Sequence, residues 1–308
     1  MESYQFRAMN TDIVLAAEGS LEQIRFGIEK STQYIHESER RFTRFSNDSE
    51  LSQLNNMNGA WFHASSELFE VVQLAKSFFE QTHGLFDPSI LPDLNRIGYD
   101  RSMDLIRANG VNGLPTPSSR LDFTFDEILF NPEELLISLP VGLTLDLGGI
   151  AKGWIAEQAA HILSDYASAC GVSAGGDMFL IGLPNSQTGW PVSLEDPRNP
   201  GEDLALLNIP PGGVATSSVS KRIWKQGDKV RHHLIDPRTH EPAETKWLSV
   251  TVIATETSLC EAFAKALLIA GPNEAPEIAK NADIDYLAID QNGNILGTNK
   301  SLEYLYEY

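Results

Sequence analysis

The chain has 308 residues, 42% of them apolar, enough for one large or two modest domains around a sizeable core. Its net charge of −19 repels nucleic acid and anionic membrane, which argues against a nucleic-acid function. No run of about 18 apolar residues occurs, so no membrane-spanning helix is expected.

Residues 1–6 show neither a basic n-region nor an apolar h-region. A cytoplasmic protein is therefore expected, or an exported one if a leader has been removed. Residues 4–17 predict a strand. Residues 20–39 predict a helix with Leu21, Ile24, Ile28 and Ile35 inward. A second helix is expected over 66–81, where Leu68, Val71, Val72, Ala75, Phe78 and Phe79 form one stripe and Gly84 follows as a stop. Residues 123–147 read as strands joined by a turn near Asn131-Pro132. Their last part alternates Leu143, Leu145 and Leu147, which brings Asp146 to a Gly148-Gly149 turn. A helix over 150–163 follows, burying Ile150, Trp154, Ile155, Ala159 and Ile162. Residues 170–255 are strand-rich, with loop signals at Pro184-Asn185 and at 197–201. A helix over 258–270 is expected, with Ser258 as N-cap, Leu259, Ala262, Phe263, Ala266 and Leu267 inward, and Gly271-Pro272 as its end. Asn292-Gly293 marks a hairpin between 286–290 and 294–297. Cys170 and Cys260 are the only cysteines, and each sits among apolar neighbours as a buried thiol. Strand and helix patterns mix without a regular βαβ rhythm. The fold class expected is α+β, with mixed or antiparallel sheets, flanking helices and two interleaved lobes whose boundary the sequence does not mark.

The chemistry concentrates at 143–157. Free N–H groups at a helix start, a Gly-Gly turn and Lys152 in the first turn suit a phosphate, and Asp146 beside them suits a ribose, a flavin ring or a metal. An ordinary strand-turn-helix explains the same pattern equally well. A lysine in a first helical turn opposes the macrodipole and calls for a compensating anion. Neither G-x-G-x-x-G nor G-x-x-x-x-G-K-[S/T] occurs. Lys221, Arg222, Lys225, Lys229, Arg231 and Arg238, with His232 and His233, form a basic island suited to a pyrophosphate, although Lys225 and Lys229 read as solvated. His233 is the best acid/base candidate, since an imidazole titrates near neutrality. His232 competes with it. Asp236 either orients His233 or caps the turn at Pro237.

D-L-G-G-I-A-K-G-W at 146–154 resembles the signature of the ApbE family, the FAD:protein FMN transferases. The likeness continues in order: Ala8-Met9-Asn10-Thr11, the S-E-L-x-x-L-N segment at 49–55 preceded by Phe45, Gly84-Leu85-Phe86-Asp87-Pro88, Gly175-Gly176-Asp177, Ala215-Thr216-Ser217, and H-x-I-D-P-R-T at 233–239. The resemblance implies an enzyme that binds FAD, attaches FMN through a phosphoester to a threonine of a partner flavoprotein, and releases AMP. It implies that Asp146 and Lys152 touch FAD, that Met9, Phe45, Leu85, Phe86 and Asp87 line the flavin or adenine, and that Thr216 and Leu234 contact the same molecule. His233 would activate the threonine hydroxyl. Many members are exported lipoproteins. The family also implies a Mg²⁺ site, to which the Gly149 carbonyl and the start of the C-terminal helix contribute. Here the chain departs from the pattern. Glu261 and Lys265 stand where an aspartate and a threonine bind the cation; Glu261 can still supply an oxygen to Mg²⁺, but an ammonium has no lone pair to offer. Glu261 and Lys265 also have the i, i+4 order of a helix salt bridge. His240 and Ser218 stand where glycines are usual. Two alternatives follow: an FAD pyrophosphatase giving FMN and AMP, and a flavin binder that has lost catalysis.

Overall fold

The computed structural model describes residues 1–111, 124–185 and 187–306. The chain divides into two units. The first comprises Met1–Ser38, Lys152–Ser220 and Thr245–Tyr308, and the second Glu39–Ala151 and Lys221–Glu244.

The first unit is built on one antiparallel sheet of eight strands. In spatial order these are Glu2–Ala8, Thr11–Glu18, Ala169–Ala174, Asp177–Ile181, Gly212–Ser218, Trp247–Ala254, Asp285–Asp290 and Ile295–Gly297. The strand expected over 4–17 is instead a hairpin. Met9 (φ 52°) and Asn10 (φ 56°) turn the chain, with Ala8 opposite Thr11, and two positive φ values match the twist of the flanking strands. Alternation then sorts the residues by face. Val214, Ile253, Leu287 and Ile289 pack with Trp190, Leu194, Leu207 and Ile209 of a second hairpin. On the helical side, Ser31 donates to the Ala159 carbonyl and the Cys170 thiol to the Ala160 carbonyl. Both thiols are buried, as expected.

Helix Leu21–Phe42 buries Ile24 and Ile35, but Leu21 is 54% exposed and Ile28 only half-buried. Leu21 belongs to the first turn, ahead of the packed stretch. Helix Ala151–Ser164 buries Trp154, Ile155 and Ala159, with Leu163 rather than Ile162 completing the stripe, and Ile150 is buried in the turn just ahead of it. Helix Thr257–Asn281 begins one residue before the expected cap and is merged from two. Gly271 (φ 67°) breaks it and Pro272 opens the second part, because only glycine adopts that φ without strain and proline needs no N–H at a helix start. Ser258 is therefore inside the helix, and the Glu157 carboxylate takes the Thr257 N–H at 2.9 Å. Asn292-Gly293 forms the expected hairpin turn, closed by Asp290.

The second unit holds helix Ser66–Gln81, which matches the expected span, and a three-stranded sheet ordered Trp61–His63, Leu136–Ser138, Leu129–Asn131. Its core includes Leu94, Ile97, Tyr99, Met103, Trp224 and Ile235. Residue 123, the first of the expected strand region, lies outside the described residues. Residues 143–147 form no strand, contrary to expectation, although all three leucines are buried. The Asn55 side chain takes the place of a neighbouring strand. Its amide donates to the Leu145 carbonyl at 2.9 Å and accepts the Leu145 N–H at 2.8 Å. No described helix is long and apolar enough to cross a membrane.

Candidate functional site

The candidate residues fall into two groups, one in each unit. In the second unit they converge on Asp146. Its backbone N–H is held by the Pro88 carbonyl at 2.8 Å, and its Oδ1 accepts the Gly148 N–H at 2.6 Å. Its other oxygen pairs with the Arg44 guanidinium. Arg44 also donates to the Tyr99 carbonyl at 2.6 Å and lies 4.3 Å from the Phe45 ring centroid and 4.8 Å from that of Tyr99. Its side chain is 7% exposed, whereas Phe45 is 39% exposed and presents ring surface outward. A stacked guanidinium fixes the ring plane and draws on cation–π attraction. Nothing in the sequence marked Arg44 as part of a site.

The motif residues around Asp146 are largely architectural. Ser49 caps helix Glu50–Asn55, and the Glu50 carboxylate accepts from Ser65 at the start of helix Ser66–Gln81. Leu85, Phe86 and Leu234 are buried, at 5%, 4% and 3% exposure. Asp87 caps the short helix Pro88–Ile90, accepting from Ser89 N–H at 2.8 Å and from its hydroxyl at 2.6 Å. Burial raises its pKa above the usual carboxylate range, against those two hydrogen bonds. Gly149 lies half-exposed in the turn ahead of helix Ala151–Ser164.

His233 is half-buried, between the Lys229–His232 and Ile235–Asp236 strands. His232 is its structural neighbour. One ring nitrogen accepts the Leu234 N–H at 3.3 Å and the other faces the Ala243 carbonyl at 3.2 Å, which fixes the tautomer and uses the only lone pair. Burial pushes the His232 pKa down. Asp236 holds the expected turn: its carboxylate accepts the Arg238 N–H at 2.9 Å and the Arg238 guanidinium at 2.8 Å. The basic island is partly spent inside the protein. Arg231 is buried and pairs with Glu241 at 2.6 Å, while Lys225 and Lys229 are exposed. His240 has φ 59°, which accounts for the usual glycine there. Its imidazole meets Asp93 at 2.8 Å.

In the first unit four charges form a buried quartet. The Lys152 ammonium contacts both the Asp177 and Glu261 carboxylates. Glu261, 1% exposed, also accepts the Gly153 N–H at 2.9 Å and the Lys265 ammonium at 3.2 Å. Lys265 donates to the Glu261 carbonyl as well, at 3.2 Å. Asp177 accepts the Thr216 N–H at 3.3 Å, and the exposed Thr216 hydroxyl meets that of Thr251 at 2.8 Å. Ser217 points to the opposite, buried face. Met9 stands half-buried at the tip of the first hairpin. Its neighbour Thr11 packs on Gly175 of the turn that delivers Asp177. Ser218 donates to the Leu248 carbonyl and accepts the Ser220 N–H, so it is a turn residue. The approach of helix Thr257–Asn281 depends on Gly153: a Cβ there would stand 2.7 Å from the Thr257 carbonyl oxygen.

Lys152 thus finds compensating anions within the first unit. Burial alone would raise the Glu261 pKa, but Lys152, Lys265 and the Gly153 N–H hold it down at about 2. Asp177 moves the other way, raised by burial and by the neighbouring Glu261 despite Lys152. Burial lowers Lys265, which Glu261 opposes. These residues do not fit a divalent cation. Glu261 already accepts from three donors, two of them ammoniums, and a dication would stand beside both of those positive charges. Two unit charges about 4 Å apart repel by roughly 4 kcal/mol at an effective dielectric of about 20. Among the described residues, no group of three or more His, Cys, Asp or Glu side chains is placed to hold a metal.

The sequence matches the model of the ApbE family over residues 9–288. It is similar to the FAD:protein FMN transferase of Treponema pallidum (strain Nichols), with 27% identity over 267 residues covering 81% of this chain and 72% of that protein. The fold is similar to that of the ApbE protein of Thermotoga maritima MSB8, with a TM-score of 0.87, 23% identity and 99% of each chain covered. It is also similar to the flavin transferase ApbE from Vibrio cholerae, with a TM-score of 0.78, 20% identity and 99% of each chain covered.

Proposed function

This chain belongs to the ApbE family, and from that premise we propose that it transfers the FMN half of FAD to a threonine of a partner flavoprotein. The threonine hydroxyl oxygen attacks the phosphorus on the riboflavin side of FAD. A new P–O ester bond forms, the bond from that phosphorus to the bridging oxygen breaks, and AMP leaves with the bridging oxygen. His233 takes the hydroxyl proton. Such a reaction is carried by positioning and charge neutralisation, since the protein forms no covalent bond itself.

The remaining roles follow from what each side chain presents. Phe45, braced by Arg44, offers a flat wall for an aromatic ring. Asp146, fixed at its backbone and both oxygens, accepts hydrogen bonds from a ribityl or ribose hydroxyl or a ring N–H. Lys152 and Lys265, with the start of helix Ala151–Ser164, face the pyrophosphate charge. Met9 and the Thr216 hydroxyl stand at the same end of the sheet as Asp177. Leu85, Phe86, Asp87 and Leu234 shape the walls from behind.

The observation that supports this reading most is how firmly separate parts of the chain hold residues 145–146 and the Asp146 carboxylate. Asn55 and Pro88 hold the backbone of residues 145–146, and Arg44 holds the Asp146 side chain. That is much machinery for a surface turn. The test is incubation with FAD and a flavoprotein or peptide bearing an acceptor threonine, followed by mass spectrometry. AMP, together with acceptor heavier by one FMN less one water, is expected. Free FMN and AMP with no adduct would make the protein a pyrophosphatase, and flavin binding without either product would make it a binder.

A further inference from the structure

We propose that the Lys265 ammonium takes the place of a divalent cation in this chain, so that pyrophosphate binding is metal-independent. The inference rests on the FAD reading above. It starts from the incompatibility of the quartet with a metal ion. Glu261 is one methylene longer than the aspartate usual at its position, and that length lets one carboxylate reach three donors: the Gly153 N–H, Lys152 and Lys265. The change at 261 and the change at 265 therefore belong together. One supplies an extended acceptor and the other supplies the charge that acceptor binds.

The charge count points the same way. Two ammoniums and two carboxylates balance inside the unit, with side-chain exposures of 13%, 17%, 8% and 1% for Lys152, Lys265, Asp177 and Glu261. A dication added to this set before any ligand binds would leave two uncompensated positive charges in a nearly dry site. An incoming pyrophosphate needs only a donor. Two of the three N–H groups of Lys265 go to Glu261, at its carbonyl and its carboxylate, which leaves one to aim at a phosphate oxygen. One ammonium neutralises less charge than a dication and offers no inner-sphere bond, so turnover slower than in a metal-dependent relative is expected.

Three measurements decide it. FAD titrated into the wild-type protein, followed by flavin fluorescence, is expected to give the same affinity within about twofold in EDTA and in millimolar Mg²⁺. Mn²⁺ titrated into the protein without flavin, followed by electron paramagnetic resonance, is expected to stay free. Lys265→Met should weaken FAD binding by about tenfold or more, with no rescue by Mg²⁺, whereas Lys265→Thr paired with Glu261→Asp should bind Mn²⁺ and regain affinity when Mg²⁺ is added. Stoichiometric Mn²⁺ binding by the wild type, or loss of its FAD affinity in EDTA, overturns the proposal. Unchanged FAD binding by a folded Lys265→Met protein overturns it too. The wild-type arms need no variant and hold if a variant fails to fold. If FAD binds under neither condition, the flavin reading falls, and the Mn²⁺ arm still decides whether the quartet excludes a metal.

Discussion

Arg44 shows how a side chain without a chemical signature can organise a site. Its nearly buried guanidinium joins Asp146, Phe45 and Tyr99. Removing one partner of such a pair leaves the other charge buried alone, at a cost of about 3–5 kcal/mol. Arg44→Met should therefore lower the urea unfolding free energy by that order, and adding Asp146→Asn should recover part of it. If the double variant is no more stable than Arg44→Met, the pair is not the reason for the loss. His233 calls for a kinetic test. His233→Ala should reduce turnover by about 100-fold or more while leaving FAD affinity nearly intact, as expected when a general base acts only in the transition state. His232→Ala should instead reduce stability, because its ring is tied to the Leu234 N–H and the Ala243 carbonyl. Loss of turnover in His232→Ala with His233→Ala unaffected would exchange the two roles.

At the scale of elements, the quartet depends on how closely helix Thr257–Asn281 approaches helix Ala151–Ser164. Gly153 permits that approach, and the gap a methyl group would need is already filled by the Thr257 carbonyl. Gly153→Ala should destabilise the protein by roughly 1–3 kcal/mol, as overpacked contacts do. Since the shift would also pull Glu261 from the Gly153 N–H, FAD affinity should fall with it. Denaturant melts and flavin titration on one variant read both effects, and an unchanged melt would mean that the helices yield freely. The same scale explains why 143–147 looked like a strand. Buried leucines alternate there as they do in a sheet, but the backbone partner is the Asn55 side chain. Periodicity reports burial, whereas a strand also needs a neighbour.

For the molecule as a whole, the quartet sets an acid response. The Glu261 pKa lies at about 2 in the folded state against an ordinary 4.5. Between these values the folded state binds fewer protons than the unfolded one, so its contribution is complete above pH 4.5 and lost as pH falls toward 2. Asp177, raised by burial, acts oppositely: its protonation on acidification relieves a strain on the fold. Stability measured by urea melts at pH 7, 4.5 and 2.5 isolates the Glu261 share. The limb from pH 4.5 to 2.5 should be shallower in Glu261→Gln than in the wild type, by up to about 1.4 kcal/mol per pH unit. Equal limbs would mean that Glu261 is not held down by the lysines.

Much of this architecture was legible in local sequence. Helical periodicity, the Gly271-Pro272 break and the Asn292-Gly293 turn act over a few residues, so the backbone follows them without help from distant chain. The ordered motifs from Met9 to Thr239 were legible too, and with them the family. Which partners each motif residue meets was decided only by folding. Lys152 needed an anion, as its place in a first turn required, but nothing nearby says that the anions are Asp177 and Glu261, the latter 109 residues away. Glu261 and Lys265 also read as a simple i, i+4 helix salt bridge. Burial turned that pair into half of a closed charge set, because a carboxylate taken out of water must find its donors among whatever chain the fold brings to it.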